Sequence, residues 1–306
     1  MRAAPTPPSL LLAGLLAGAC GPQETAPPAA APRAPGPQRT TLAPPPDLAA
    51  AALAEARELL GAEKLADPPA ALARLEAVFG TAPSDPEAAF LLARAAFRSE
   101  EPERCTLALD AWFEREPVDR PDWSAEAWVL RGWLLERAGR PAEALPHHER
   151  ALAVSPGYAF ALLRKGCALA DSGDAEGAIG SLEQAIELRP GLLEAHFALA
   201  QAYRRAGRAG DAEREARIHR LLNQTSDNSA NTRESVTEKF AAFEELERLL
   251  PQWIEGRLTL TRMQLKLGRG DLALARMRRL VAEQPESVEA RALLEQIERA
   301  GRGGGR

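Results

Sequence analysis

The chain has 306 residues, of which 45% are hydrophobic and only 5% aromatic, and its formal net charge is −5. This length accommodates one or two domains, and the abundance of alanine and leucine favours closely packed helices over β-sandwiches or barrels, which need more β-branched and aromatic residues. The acidic balance argues against nucleic acid as the main partner.

The first twenty residues have the pattern of an export signal. Arg2 precedes an apolar stretch of eleven residues, Ser9–Ala19, which is too short to span a bilayer. The stretch ends in small residues directly before Cys20 and resembles the lipobox of bacterial lipoproteins, although Ala17 stands where leucine is usual. The resemblance implies diacylation of Cys20 and a membrane-anchored lipoprotein that faces the periplasm or the cell exterior. Ordinary cleavage near Ala19 is the alternative.

Residues 21–46 follow as a segment of low complexity. They contain nine prolines, and alanine is the commonest of the other residues. This composition has no core-forming residues and predicts a disordered linker with polyproline II character. Such a linker would hold the folded part away from the membrane.

Two weak copies of a 34-residue pattern come next, at 52–85 and 86–119. They share apolar positions and a proline near the end of each copy. Ser84 and Glu87 are spaced for a capping box at the start of the second copy. Residues 120–124 are an insertion before the next copy.

Two strong copies, 125–158 and 159–192, follow each other without a gap. The shared positions are Trp128, Gly132, Leu135, Gly139, Ala144, Ala151 and Pro156, which recur 34 residues later as Leu162, Gly166, Leu169, Gly173, Ala178, Ala185 and Pro190. Small residues at Gly132 and Ala144 allow two helices to cross closely, and proline ends the second helix. The period and pattern resemble the tetratricopeptide-repeat family, which implies an all-α solenoid of helix–turn–helix repeats.

The C-terminal part continues the pattern with more irregularity. In chain order it comprises a copy at 193–222, a polar stretch at 223–233 predicted as a loop, a degenerate copy at 234–253, a clearer copy at 254–287, an amphipathic capping helix at 288–300 and a flexible tail at 301–306. The solenoid therefore extends over 47–300, and no stretch remains for a separate catalytic domain.

No catalytic, cofactor-binding or metal-binding motif is found in the sequence. Cys105 occupies the position of Ala144, which indicates a small buried residue, and Cys167 should lie roughly 20 Å from it, too far for a disulfide. The four histidines lack metal-ligand spacing and are expected to be partly exposed. We predict no enzyme activity, no cofactor and no metal.

The family resemblance also implies a binding surface. In tetratricopeptide-repeat proteins the first helices of successive repeats line a concave groove. The corresponding positions here are Phe90, Arg94, Phe97, Val129, Trp133, Phe160, Leu163, Phe197, Gln201 and Arg204. An exposed apolar stripe with flanking arginines is expected to bind an amphipathic helix or an extended peptide. The alternative is that the linker or the 223–233 segment fills the groove.

These observations predict a non-enzymatic scaffold or adaptor of the bacterial cell envelope. Its partners would be a protein or peptide in the groove and a membrane through the lipid anchor, with no nucleic acid. One alternative is an assembly lipoprotein, similar to tetratricopeptide-repeat pilotins and outer-membrane biogenesis subunits, which would use its end repeats or convex face. Another is a regulator of a catalytic partner.

Overall fold

The computed structural model describes residues 45–61, 67–80, 83–115, 121–226 and 233–303. The predicted export signal with Cys20, and the predicted linker up to residue 44, lie outside these residues. The described residues form fourteen α-helices and no strand: α1 Pro46–Gly61, α2 Pro68–Phe79, α3 Pro86–Arg98, α4 Pro102–Phe113, α5 Pro121–Arg137, α6 Pro141–Val154, α7 Ala159–Asp171, α8 Ala175–Leu188, α9 Leu193–Arg205, α10 Ala209–Ser226, α11 Arg233–Leu249, α12 Ile254–Lys266, α13 Gly270–Glu283 and α14 Val288–Gly303. The predicted all-α fold is confirmed.

Successive helices pack as antiparallel hairpins, and the chain divides into two compact units after Ala185. In the first unit α3 contacts both α1 and α5, and α5 contacts α7. Helix α3 packs on α4, and α5 packs on α6, as hairpins. In the second unit α9 pairs with α10, α11 packs between α10 and α12, and α14 covers the hairpin of α12 and α13. Each unit thus builds its core between neighbouring hairpins.

Local sequence explains where most helices begin and end. Proline is the first residue of each of the helices α1 to α6, and its fixed φ angle suits the first helical position. Helices α6 and α8 end two residues before Pro156 and Pro190, as predicted, because the residue before proline avoids helical geometry. The turn inside the hairpin needs a left-handed residue, which Gly139 supplies with φ 73° and Gly173 with φ 91°.

The start of α3 differs from the predicted capping box. The N-cap is Asp85 and not Ser84, because the Asp85 carboxylate accepts a hydrogen bond of 3.0 Å from the backbone N–H of Glu87. Asp67 caps α2 in the same manner through the N–H of Ala70. Both aspartates directly precede a proline at the first helical position.

The predicted insertion at 120–124 lies mostly within α5, which begins at Pro121. Two predicted boundaries were wrong. The predicted loop at 223–233 begins later, because α10 continues to Ser226 and α11 starts at Arg233. Helix α14 continues to Gly303, past the predicted end of the cap at residue 300. In each case further intrahelical hydrogen bonds satisfy backbone groups that a loop would leave to water; residues 227–232 and 304–306 lie outside the described part.

Candidate protein-interaction surface

The predicted groove residues of the first unit are not exposed. Those on α3, α5 and α7 that were expected to form an apolar stripe are almost completely buried: Phe90, Phe97, Val129, Trp133, Phe160 and Leu163. Trp133 is 3% exposed and Phe160 is 2% exposed. The expectation of an accessible aromatic stripe in this unit is therefore wrong.

Packing between hairpins accounts for part of this burial. The rings of Phe97 on α3 and Trp133 on α5 meet edge to face, with centroids 4.6 Å apart. Phe90 stacks on Trp123 at 4.8 Å, and Trp123 belongs to the N-terminal extension of α5. Such aromatic pairs contribute about 0.5–1.5 kcal/mol beyond the area that they bury. The aromatic residues that were predicted to hold a partner thus join one repeat to the next.

Arg94, which was predicted to fix a partner, already has a partner within the chain. Its Nε lies 2.8 Å from Oε1 of Glu126 on α5, and its guanidinium lies 5.7 Å from the centre of the Phe90 ring. The two charged side chains are 13% and 8% exposed. Burial raises the pKa of the Glu126 carboxyl, and the nearby Arg94 and Arg98 charges oppose this rise. The pair links α3 to α5 beside the aromatic contact.

A buried polar cluster on α5, α6 and α7 was not predicted from the sequence. His148 is completely buried, its Nε2 lies 2.7 Å from Oε1 of Glu136, and Glu136 also pairs with Arg164. Burial lowers the pKa of His148 to about 3, so the neutral ring donates its Nε2 hydrogen to the carboxylate. Because Arg164 already compensates the Glu136 charge, desolvation outweighs the attraction between His148 and Glu136. The cluster serves as a junction between three helices.

The sequence does contain a signal for this cluster. Position 148 is the equivalent of Leu182, 34 residues later. A Cβ added to Gly166 would lie 2.6 Å from the Leu182 side chain, and one added to Gly132 would lie 2.3 Å from the His148 ring. A histidine at a position that faces the small residue of the crossing must be buried.

His196 also differs from the prediction of partial exposure. It is 1% exposed, its Nδ1 lies 2.6 Å from the Glu215 carboxylate, and its Nε2 lies 2.8 Å from the carbonyl oxygen of Pro190. Both ring nitrogens therefore face acceptors. The polar contacts of His196 connect α9 to α10 and to the turn before α9. His196 therefore has a structural role within the second unit.

The remaining predicted groove residues lie on α9 and are more accessible. Phe197 and Gln201 are half-buried, and Arg204 is exposed. The Phe197 ring lies 5.2 Å from the ring of His219 on α10. The most accessible side chains among the predicted binding residues therefore lie on α9.

The described residues include no group of three His, Cys, Asp or Glu side chains placed to hold a metal ion. Cys105 and Cys167 are buried thiols, and burial raises the pKa of Cys105 to about 12, which leaves it protonated and unreactive at neutral pH. Within the described helices, none combines the length and apolar character needed to cross a bilayer.

Comparison with known families matches this architecture. Three family models described as tetratricopeptide repeat match residues 53–124, 125–166 and 169–230. Together they cover more than half of the chain, which therefore belongs to the tetratricopeptide-repeat proteins. No curated protein matches the chain in sequence.

Solved structures of MamA are similar to this chain. The structure of MamA from Desulfovibrio magneticus RS-1, starting at its residue 41, has 20% sequence identity and a TM-score of 0.46, and the match covers 60% of this chain and 98% of that chain. A structure of MamA AMB-1 has 21% identity and a TM-score of 0.46, with 58% of this chain and 99% of that chain covered.

Proposed function

We propose that the chain is a non-enzymatic protein-interaction scaffold of the cell envelope. The observation that supports this proposal is the run of tetratricopeptide repeats through 53–230, together with the absence of another kind of folded unit among the described helices. Repeats of this kind offer extended surfaces and generally act by binding proteins. A partner protein held by helical hairpins is the activity that this architecture serves best.

The accessible side of α9 is the part of the predicted surface that we assign to partner contact. Phe197, Gln201 and Arg204 are spaced four and three residues apart, so they share one face of the helix. Aromatic and arginine side chains are enriched at protein interfaces, and the Gln201 amide can both donate and accept hydrogen bonds. The buried aromatic residues of α3, α5 and α7 pack within the first unit, and we do not assign them to partner contact.

Photocrosslinking tests this assignment. A benzoylphenylalanine at position 204 is expected to form adducts with an envelope protein, whereas the same group at Glu213, an exposed residue of α10, should not. Arg204→Glu is expected to reduce the adduct formed from position 201, while Arg205→Glu, which makes the same charge change on the next exposed residue, should leave it unchanged. Equal labelling from positions 204 and 213 would contradict the assignment.

Export and lipid attachment form a second part of the proposal. They rest on the apolar stretch before Cys20 and on its small residues, which are similar to a lipobox. A lipid anchor would place the hairpins at a membrane surface, and the proline-rich segment would set their distance from it. Radiolabelled palmitate should be incorporated into the native chain and not into Cys20→Ser. Equal incorporation, or none in the native chain, would exclude the anchor.

A specific observation favours the alternative of an assembly lipoprotein that uses its end repeats. A charged cleft opens in the last repeat, among α11, α12 and α13. In that case crosslinks would come from the C-terminal repeat and not from α9.

A further inference from the structure

The second unit contains a cleft of about 680 Å³ among α11, α12 and α13. Most of its lining residues are charged: Glu247, Arg248, Arg257, Arg276, Arg279 and Glu283. None of the predicted groove residues belongs to it. The cleft is therefore a second surface, separate from the face of α9.

The lining carries an excess of positive charge in a chain whose net charge is −5. Four arginines face two glutamates. Arg257 is 5% exposed and lies 2.7 Å from Glu283, while Arg276 lies 3.0 Å from Glu247. Arg279 also lies 2.7 Å from Glu283, so three guanidinium groups pair with only two carboxylates. The local excess attracts an anionic ligand.

Three buried polar atoms in the lining have no hydrogen-bond partner. They are the amide oxygen of Gln264, a residue that is 3% exposed, Nε of Arg257 and Nη1 of Arg276. A buried polar atom without a partner is destabilising, and a ligand with both donors and acceptors would pair these atoms. A peptide backbone provides both kinds of group. At the same cleft Leu272 is 56% exposed and offers an apolar contact.

Other occupants fit these features less well. None of the described residues that line the cleft is aromatic, so a nucleotide base would find no ring on which to stack. Residues 1–44 carry a single acidic residue, Glu24, against three arginines, so this segment has the same sign of charge as the cleft. We propose that the cleft binds an extended acidic segment of a partner protein, with alternating carboxylate and apolar side chains. This inference rests on the proposed scaffold function and names a second contact surface with its ligand chemistry.

Fluorescence anisotropy with the purified full chain tests the proposal. The probe is a fluorescein-labelled, C-terminally amidated octapeptide in which aspartate and leucine alternate, and the comparison peptide has asparagine in place of aspartate. We expect the acidic peptide to bind, with an affinity that decreases at high salt, and the asparagine peptide to bind at least about tenfold more weakly. Equal binding of the two peptides, or none, would overturn the proposal.

Matched variants locate the binding. Arg248→Glu combined with Arg279→Glu changes exposed side chains at the cleft and should weaken binding at least about tenfold. Arg278→Glu combined with Arg299→Glu makes the same charge change at side chains that are 62% and 79% exposed and do not line the cleft, and binding should stay within about twofold. Gln264→Leu should weaken binding without lowering Tm, since it removes an unpaired buried oxygen. Equal losses in the two double variants would contradict a local site.

The outcomes separate this site from the proposed function. If position 204 yields crosslinks while the cleft variants bind the peptide as tightly as the native chain does, the cleft proposal fails and the proposed scaffold function still stands. If the cleft binds the peptide and position 204 yields nothing specific, the assignment of α9 fails. Sedimentation equilibrium supplies a further check: self-association that the Arg248→Glu and Arg279→Glu variant abolishes would identify the occupant as a second copy and overturn the partner segment.

Discussion

The imidazole of His148 on α6 occupies the space that Gly132 leaves open on α5. A Cβ on residue 132 would lie 2.3 Å from Cε1 of His148 and 2.8 Å from both ring nitrogens. Because His148 also donates a hydrogen bond to the buried Glu136, its ring cannot move away without breaking that bond. One small residue therefore decides how closely the two helices of this hairpin approach.

Gly132→Ala is expected to lower the free energy of unfolding by about 1–3 kcal/mol, since the added methyl group overlaps the His148 ring. The measurement is urea denaturation followed by circular dichroism at 222 nm. Gly180→Ala is the matched control, because Gly180 lies inside α8 with open space at its Cβ, and it should stabilise by up to about 1 kcal/mol. Equal stability of the two variants would show that the helices do not cross as closely as described.

Glu100 stands at the hairpin-turn position that Gly139 and Gly173 occupy in the strong repeats, and its φ angle is 57°. A left-handed conformation costs a non-glycine residue about 1–2 kcal/mol. Glu100→Gly is therefore expected to raise the free energy of unfolding by about 1 kcal/mol, although glycine loses more backbone entropy on folding. Thermal denaturation provides the measurement, and the reverse change at an equivalent turn, Gly173→Ala, should lower Tm. A decrease in Tm for Glu100→Gly would argue against the left-handed turn.

Substitutions of Trp133 and Phe97 test whether these side chains pack within the chain or bind a partner. If their edge-to-face contact joins α3 to α5, Trp133→Ala should cost about 3–5 kcal/mol of stability, because the side chain is buried and a cavity remains. A double-mutant cycle with Phe97→Ala should give a coupling of about 0.5–1.5 kcal/mol. A loss of partner binding at unchanged stability would instead support the original assignment of Trp133 to an open groove.

The buried His148 predicts a loss of stability in mild acid. Its pKa is lowered to about 3 in the folded chain, whereas an unfolded histidine titrates near 6.5. Between these values the unfolded chain takes up a proton that the folded chain does not, so the free energy of unfolding falls as the pH is lowered through this window. The histidine should contribute a loss of about 2 kcal/mol between pH 7 and pH 5 and no change at higher pH.

His148→Leu isolates this effect from that of the other histidines. The equivalent Leu182 packs against Gly166, which shows that leucine fits opposite this glycine. Glu136 keeps Arg164 as its partner in the variant. Denaturant titrations at pH 7 and pH 5 should show a smaller difference in stability for His148→Leu than for the native chain. An identical difference would mean that His148 titrates normally.

The sequence by itself determined the class of fold, because the relevant signals are local. The 34-residue period, the glycines that turn each hairpin and the prolines that end second helices act within one or two turns of helix. It also indicated that Cys105 occupies a small buried position. These features depend on backbone conformation and on the size of side chains at regular spacing, which can be read from one chain.

Only the tertiary structure decided which side chains of the first helices are accessible. Phe97 and Trp133 occupy positions that resemble a groove floor, and their burial depends on the orientation of neighbouring hairpins, which no local pattern encodes. Glu136, the partner of His148, and Arg164, which pairs with Glu136, come from two other helices. Arg257 and Gln264 line the charged cleft only because α11 and α13 both pack on α12. Exposure and pairing are properties of residues that are distant in sequence, and folding alone brings them together.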